Sequence, residues 1–364
     1  MRLLNVTALL VFSAAGAVSP VAVNVPDTRY PVVLTAVAHV NGQVRLAWTE
    51  KTTNFQLHAA MLSKNGWERL GGVLNEDLTF NALQLMSRTG PDGRWWLGWA
   101  EDAGIAHVDS WLMRVWDGQS WQAKVSAVRR NLSDAGRSRS FDVMKNGVPT
   151  LLWTDLAVPG AWAASVRPLR WDGKTWLPDA VLSDIKFAGF APDVRVGPGG
   201  LRTVVFLEGN YASMNVVVMR ETLPDRWERL RPPLNRTPGS FTTQPRLNLT
   251  PFGQPVVAWI EGGDDDPDRV LVSRWNGRAW QRLGGALSAG NEMAETLALA
   301  LGHDGQPRAA WLADGKLRAA QWTGSHWEAL TLPGTRNVTG VSLSEDGEFL
   351  AASVNGKLHL WNWP

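Results

Sequence analysis

Two residues beyond each of five evenly spaced aromatic anchors, the chain carries an acid: Glu50, Glu101, Asp155, Glu208 and Glu261. Each closes a Gly-led apolar run (GQVRLAWTE, GRWWLGWAE, GVPTLLWTD, GLRTVVFLE, GQPVVAWIE), and the pattern breaks at Ala313 and Asn355. Carboxylates at one repeated position form an arc if their units are equivalent. An arc can accept hydrogen bonds from sugar hydroxyls or hold a cation. It can equally pair with arginines, for which Arg114, Arg170, Arg220 and Arg274 are available. Repetition favours the pairing, because a unique site seldom needs five copies.

Other chemistry is sparser. EGGDDDPDR, residues 261–269, gathers Asp264, Asp265, Asp266 and Asp268, whose oxygens suit a hard cation such as calcium, but without the alternate spacing of a calcium-binding loop. Trp162, in LAVPGAWAASV, falls outside the repeat and beside a Pro-Gly pair, where it can stack on a sugar ring or pack on its own loop. The six histidines show no H-E-x-x-H spacing, and no G-x-S-x-G elbow or phosphate-cradling Gly loop occurs. Each histidine taken alone is read as structural, and no cofactor is implied beyond the calcium candidate.

The elements that position these residues are set by a repeat. RWNGRAWQRLGG at 274–285 recurs as VWDGQSWQ, RWDGKTWLP and QWTGSHWEAL, with altered forms KNGWERLGG and PDRWERL. The anchors Trp48, Trp99, Trp153, Phe206, Trp259 and Trp311 are 51, 54, 53, 53 and 52 residues apart. Each unit reads as four strands: a period-2 opening strand, the Gly-led strand apolar on both sides, a strand ending in Arg-Trp, and a short Trp strand. Four-stranded units at this spacing predict an all-β, seven-bladed β-propeller of antiparallel blades. The last unit supplies three strands, VTGVSLSE, EFLAASVN and KLHLWNW, so residues 19–27, SPVAVNVPD, are predicted to complete the seventh blade and close the ring. Most of the 21 tryptophans occupy repeat positions and are read as wedges between blades.

The amino terminus, MRLLNVTALLVFSAAGAVSP, has one Arg, an apolar stretch from Thr7 to Ala15, and small residues Ala15 and Ala17 spaced for signal-peptidase cleavage. It predicts a signal peptide over 1–17 and a mature single propeller over 18–364, located outside the cytoplasm: secreted, periplasmic or envelope-associated. The apolar run is shorter than the roughly 20 residues of a membrane span. The chain has no cysteine, so neither a disulfide framework nor a Cys-based metal site is available. Lys and Arg total 36 against 34 Asp and Glu, a balance that gives no electrostatic footprint for nucleic acid.

At RWNGRAWQRLGG and GQPVVAWIE the sequence resembles the Trp-rich propellers of exported bacterial proteins and the seven-bladed bacterial propeller lectins, which bind sugars between blades. The chain is read as a monomeric, non-catalytic binding module with a glycan or an envelope protein as partner. Sialidases share the fold more distantly. TRYPVV places Arg29 where they carry an Arg, and FLEGNY offers Glu208 and Tyr211, but the Asp of WDGKTW stands one residue too close to its Trp for an Asp-box. The expectation is therefore a glycan-binding propeller, with a protein scaffold or a sialidase-like hydrolase as alternatives.

Overall fold

The structure, a computed structural model, describes residues 20–102, 108–131, 139–156, 164–184, 186–210, 213–237, 240–263, 266–288, 292–332 and 335–363. The expected signal segment, Trp162, Tyr211, Asp264 and Asp265 lie outside them.

Seven antiparallel sheets follow one another along the chain, as the repeat predicts. The inner strands are Val32–Val40, Asn81–Thr89, Arg139–Val143, Ala188–Val196, Phe241–Leu249, Ala294–Leu301 and Val338–Leu343. Each pairs with a second strand that is buried along nearly its whole length, such as Arg202–Asn210. A strand covered on both faces by neighbouring sheets has no polar side, which is why these runs lack alternation. Blade two departs from the four-strand plan. Trp121–Gln122 and Val128–Asn131 both pair with Val108–Trp116, so its outer edge is made of two pieces.

The core is distributed. Seven apolar clusters are found among the described residues, and each spans two adjacent blades; one joins Val256, Ala258 and Val272 of blade five to Leu297, Trp311 and Trp322 of blade six. The second-strand anchors are at the centre of this packing: Trp48, Trp99, Phe206 and Trp259 are fully buried.

The recurrent Trp-Asn/Asp-Gly-x-x-Trp phrase is a hairpin between third and fourth strands. Trp275 and Trp280 face each other across it with ring centroids 5.3 Å apart. Asn276 Oδ1 accepts the backbone N–H groups of Arg278 and Ala279, at 2.9 and 2.8 Å, and Gly277 takes φ +96°, a conformation glycine adopts without a Cβ penalty.

The fourth-strand tryptophans are half-buried, not fully buried wedges. Several of them instead clasp the preceding blade. Trp121 Nε1 donates to Leu70 O at 2.8 Å, Trp176 Nε1 to Ser126 O at 3.0 Å and Trp327 Nε1 to Leu283 O at 2.6 Å. The seam repeats this bond. Val21–Val23 pairs antiparallel with Lys357–Asn362 as the outer strand of blade seven, and Trp67 Nε1 of blade one donates to Asn24 O at 2.8 Å. Ring closure by an amino-terminal strand within residues 19–27 is thus present, over a shorter span.

Candidate functional site

The carboxylate arc is placed inside the blades. Glu50, Glu101, Glu208 and Glu261 are 5% exposed or less. Glu101 shows the shared arrangement: it accepts Trp99 Nε1 at 3.0 Å, and the backbone N–H groups of Glu76 and Asp77 at 2.6 and 3.1 Å. Glu50 takes the N–H groups of Arg29 and Tyr30, Glu208 that of Asp184, and Glu261 those of Arg236 and Thr237. Each acid therefore fastens the loop entering its own blade, whose backbone donors would otherwise be unsatisfied. The two breaks in the pattern keep the function by other means. Asp314, next to Ala313, accepts Met293 N–H at 3.2 Å, and Asn355 Oδ1 accepts Asn337 Nδ2 at 2.9 Å. Asp155 lies in the second strand of blade three, Pro149–Leu156.

The expected pairing with Arg114, Arg170, Arg220 and Arg274 is corrected by register. Thr203 faces Arg220, whereas Glu208, five residues further along the same strand, faces Asn215. At about 3.3 Å per residue the two charges stand at opposite ends of the blade. Arg170 pairs instead with Asp179 at 3.1 Å, and Arg220 with Glu228 at 2.6 Å. The partners of the arc come from the fourth strand: Arg69 beside Glu50 at 3.6 Å, and Arg229 beside Glu208. Of the acidic loop, Asp266 begins a strand, and Asp268 is committed to joining blades five and six, accepting Ala294 N–H at 2.9 Å.

The open site is on the other face, at the hairpins between first and second strands. A funnel of about 520 Å³ is lined there by residues including Asp142, Lys145, Arg195, Asn248, His303 and Glu345. Arg88, Asp142, Arg195 and Asn248 hold one register in four successive inner strands, each opposite the residue three before the second-strand anchor. An axial channel between the inner strands is lined by Arg88, Asp193, Arg195 and Arg246.

These charges are fixed by one another. Asp193 Oδ1 accepts Arg88 Nη2 and Arg195 Nη1, both at 3.2 Å, and Ser140 Oγ at 2.8 Å, while Oδ2 accepts Leu247 N–H at 2.9 Å. One carboxylate thus ties together blades two to five. Burial opposes its charge, but Arg195 and Arg88 outweigh burial and hold Asp193 below its usual value. Arg246 is pushed down by burial, against the pull of Asp193. Asn248 differs from its neighbours. Its Oδ1 accepts Leu249 N–H at 2.8 Å, and its buried Nδ2 has no hydrogen-bond partner among the described residues. Such a donor lining a funnel is suited to a ligand oxygen. At the rim, Phe252 follows the lining residues Thr250 and Pro251 and is 89% exposed.

Burial pushes the Asp142 carboxyl up to about 6, with Arg195 and Arg88 opposing the rise and Glu345 adding to it. The folded state retains this proton where the unfolded chain has released it. The group therefore favours folding below about pH 4, and that contribution is lost as pH rises through about 6. Asp193, held low, contributes in the opposite sense and loses its contribution as pH falls. Asp142→Asn is expected to remove the Asp142 part of the slope between about pH 4 and 6. Urea midpoints of both proteins across that range check it; an identical slope in the variant assigns the pH dependence elsewhere.

The sequence signal for the funnel was a polar residue at the penultimate position of inner strands, between two apolar residues, as in DVRVG and PRLNLT. Those segments read as strands without revealing that this position faces the axis. The sialidase alternative gains little from the geometry: Arg29 gives its backbone N–H to Glu50, while the arginines gathered on the axis come from inner strands.

No family model matches the chain, and no curated protein matches it either. Solved structures do. An ulvan lyase, a polysaccharide lyase bound to a saccharide of glucuronic acid and sulfated rhamnose, superposes with a TM-score of 0.60 at 15% identity, covering 96% of this chain and 95% of that one. A virginiamycin B lyase from Staphylococcus aureus with quinupristin gives 0.52 at 10% identity, covering 94% and 98%. An α-L-arabinanase from Penicillium chrysogenum complexed with arabinobiose gives 0.50 at 12% identity, covering 95% and 97%. Chains this distant share the fold, and the fold is what the likeness establishes: a seven-bladed β-propeller with glycan-active proteins among its structural neighbours.

Proposed function

We propose that the protein is an exported, monomeric, non-catalytic propeller that binds an acidic glycan of the cell envelope or its surroundings in the axial funnel. The unpartnered Asn248 Nδ2 carries the reading, because a buried amide donor beside the cationic Arg195 and Lys145 is an acceptor-seeking site. A uronate supplies both hydroxyl and carboxylate oxygens. Asp142 and Glu345 offer acceptors for further hydroxyls, and the Phe252 ring offers a face for a pyranose. The ligands of the ulvan lyase and the arabinanase, one a glucuronate-containing saccharide and one a neutral sugar, bracket the chemistry to be tested.

Calorimetry with uronate-containing and neutral oligosaccharides tests this directly. Binding of the acidic series is expected, weakened about tenfold in Lys145→Ala and in Asn248→Ala, a loss of about 1.4 kcal/mol each. Phe252→Ala is expected to weaken both series. Acidic oligosaccharides that fail to bind, or that bind unchanged to the Lys145 and Asn248 variants, would overturn the assignment.

A further inference from the structure

At the seam of the ring, blades six, seven and one bring together two histidines and two acids that are far apart in the sequence. His39 lies near the end of the inner strand Val32–Val40, while Asp346 and Glu348 lie around the first hairpin of blade seven and His303 on that of blade six. His39 Nδ1 is 2.7 Å from Asp346 Oδ2 and 2.9 Å from Glu348 Oε2, and His303 Nε2 is 2.8 Å from Glu348 Oε1. We propose that His39, Asp346 and Glu348 form a binding site for a borderline divalent transition metal, with Zn²⁺ as the type ion, that staples blade seven to blade one, with His303 holding Glu348 from blade six.

The argument begins with proton counting. Nδ1 carries at most one hydrogen, yet it stands between two carboxylate oxygens at hydrogen-bond distance, so one proton cannot serve both well. A divalent cation at that point would satisfy nitrogen and both oxygens together. The ligating oxygen of Asp346 is already selected: its Oδ1 accepts Ser344 Oγ at 2.5 Å and Glu348 N–H at 3.1 Å, which leaves Oδ2 facing His39. The imidazole of His39 is oriented too, edge-on to Phe349 with centroids 5.0 Å apart. Fixing ligands from behind in this way is what second-layer contacts do in metal sites.

The donor set also selects the ion. His39, Asp346 and Glu348 each offer an atom within 4.8 Å of the others, while His303 Nε2 rests on the other oxygen of Glu348 and orients it. One imidazole with two carboxylates, and a fourth position for water, suits Zn²⁺ and its neighbours, whereas Ca²⁺ and Mg²⁺ prefer oxygen alone. In a tetrahedral zinc site with bonds near 2.0 Å, donor atoms stand about 3.3 Å apart. The separations of 2.7 and 2.9 Å between His39 Nδ1 and the two carboxylate oxygens require an opening of only about half an ångström. Asp346 and Glu348 are 20% and 31% exposed and His303 is 75% exposed, so the ion has a path in. Arg308, whose charge acts on Asp304 and on both carboxylates, donates Nη1 to Gly347 O at 3.0 Å.

Location gives the site a purpose. The contact between His39 and Asp346 spans 307 residues of sequence, in a chain with no cysteine for a disulfide staple. A metal held there links the two ends of the ring through the folded state alone, and so couples metal binding to stability.

Zinc calorimetry and thermal melting of the full chain, first stripped with chelator, decide the matter. One Zn²⁺ per chain is expected, with a Tm that climbs as free Zn²⁺ rises and does not respond to Ca²⁺. His39→Gln and Asp346→Asn are each expected to weaken Zn²⁺ binding at least tenfold, and the more exposed His303→Ala to weaken it less. Lys145→Ala, which impairs the funnel, is expected to leave zinc affinity unchanged, so this proposal and the glycan reading fail separately. Absence of stoichiometric uptake, or uptake that survives both the His39 and Asp346 variants, overturns the site. Should those variants not fold, Co²⁺ bound to the wild-type chain is read instead: intense visible bands of a four-coordinate ion support the proposal, and the weak bands of a hydrated ion overturn it.

Discussion

Trp259→Ala is expected to lower the free energy of unfolding by about 3–5 kcal/mol, the range for deleting a large aromatic side chain from a packed core. The indole is fully buried between blades four and five, among Val205, Leu247, Val257 and Leu271. Its Nε1 donates to Glu261 Oε2 at 3.1 Å, and the guanidinium of Arg282 lies 4.5 Å from the ring centre. Truncation would leave a cavity, an orphaned carboxylate lone pair and a cation without its aromatic face. Trp280 provides the internal comparison. It is half-buried, with no hydrogen bond to Nε1 among the described residues, and its replacement by Ala is expected to cost clearly less. Urea unfolding of both variants measures the contrast; equal losses would mean that position in the blade does not govern the energetics of these tryptophans.

Removing residues 20–27 is the second large effect. It strips the three paired residues Val21, Ala22 and Val23 from blade seven, takes the acceptor from Trp67 Nε1, and removes Asp27 O, which accepts Arg69 Nη2 at 2.7 Å. Val23 and Val25 also leave the apolar cluster between blades seven and one. At roughly 0.5–1.5 kcal/mol for each hydrogen bond, with the packing added, the loss is on the order of 3–5 kcal/mol. That corresponds to a Tm lower by roughly 4–7 °C. The bare strand Lys357–Asn362 would become an edge able to recruit another chain. Calorimetry of the truncated protein, together with light scattering, tests both consequences. A Tm equal to that of the chain retaining residues 20–27 would show that the seam carries no weight.

The architecture was legible because a repeat averages out local ambiguity. Six Trp-x-Gly-x-x-Trp or related phrases and six Gly-led runs state the same four-strand sentence, and the missing strand of the last copy points to the amino terminus. What the sequence could not display is what lies across the axis. Asp142, Arg195 and Asn248 are separated by some fifty residues each, and only the ring brings them to one funnel, with Arg88 and Arg195 lining the axial channel. The same holds for His39 and His303, which share no sequence motif yet meet at Glu348. Conversely, the acids were conspicuous in sequence because they repeat, and at Glu50, Glu101, Glu208 and Glu261 they repeat because each fastens the loop entering its blade. The failure at the third-strand arginines has a simpler cause. Adjacent phrases in the sequence lie at opposite ends of antiparallel strands, and register, not proximity in the chain, sets which charges meet.

The division of the core into seven interfaces has a bearing on how any guest is selected. In a single-core protein a mouth can widen by small shifts shared throughout the interior. Here, each interface is separately packed and the circle is shut, so dilating the aperture requires one cluster to part and expose its side chains to water. The opening is therefore a fixed gauge whose bore follows from the number of blades. A guest of the right girth meets groups already in position and need not organise them, whereas an oversized guest finds no soft wall to push aside.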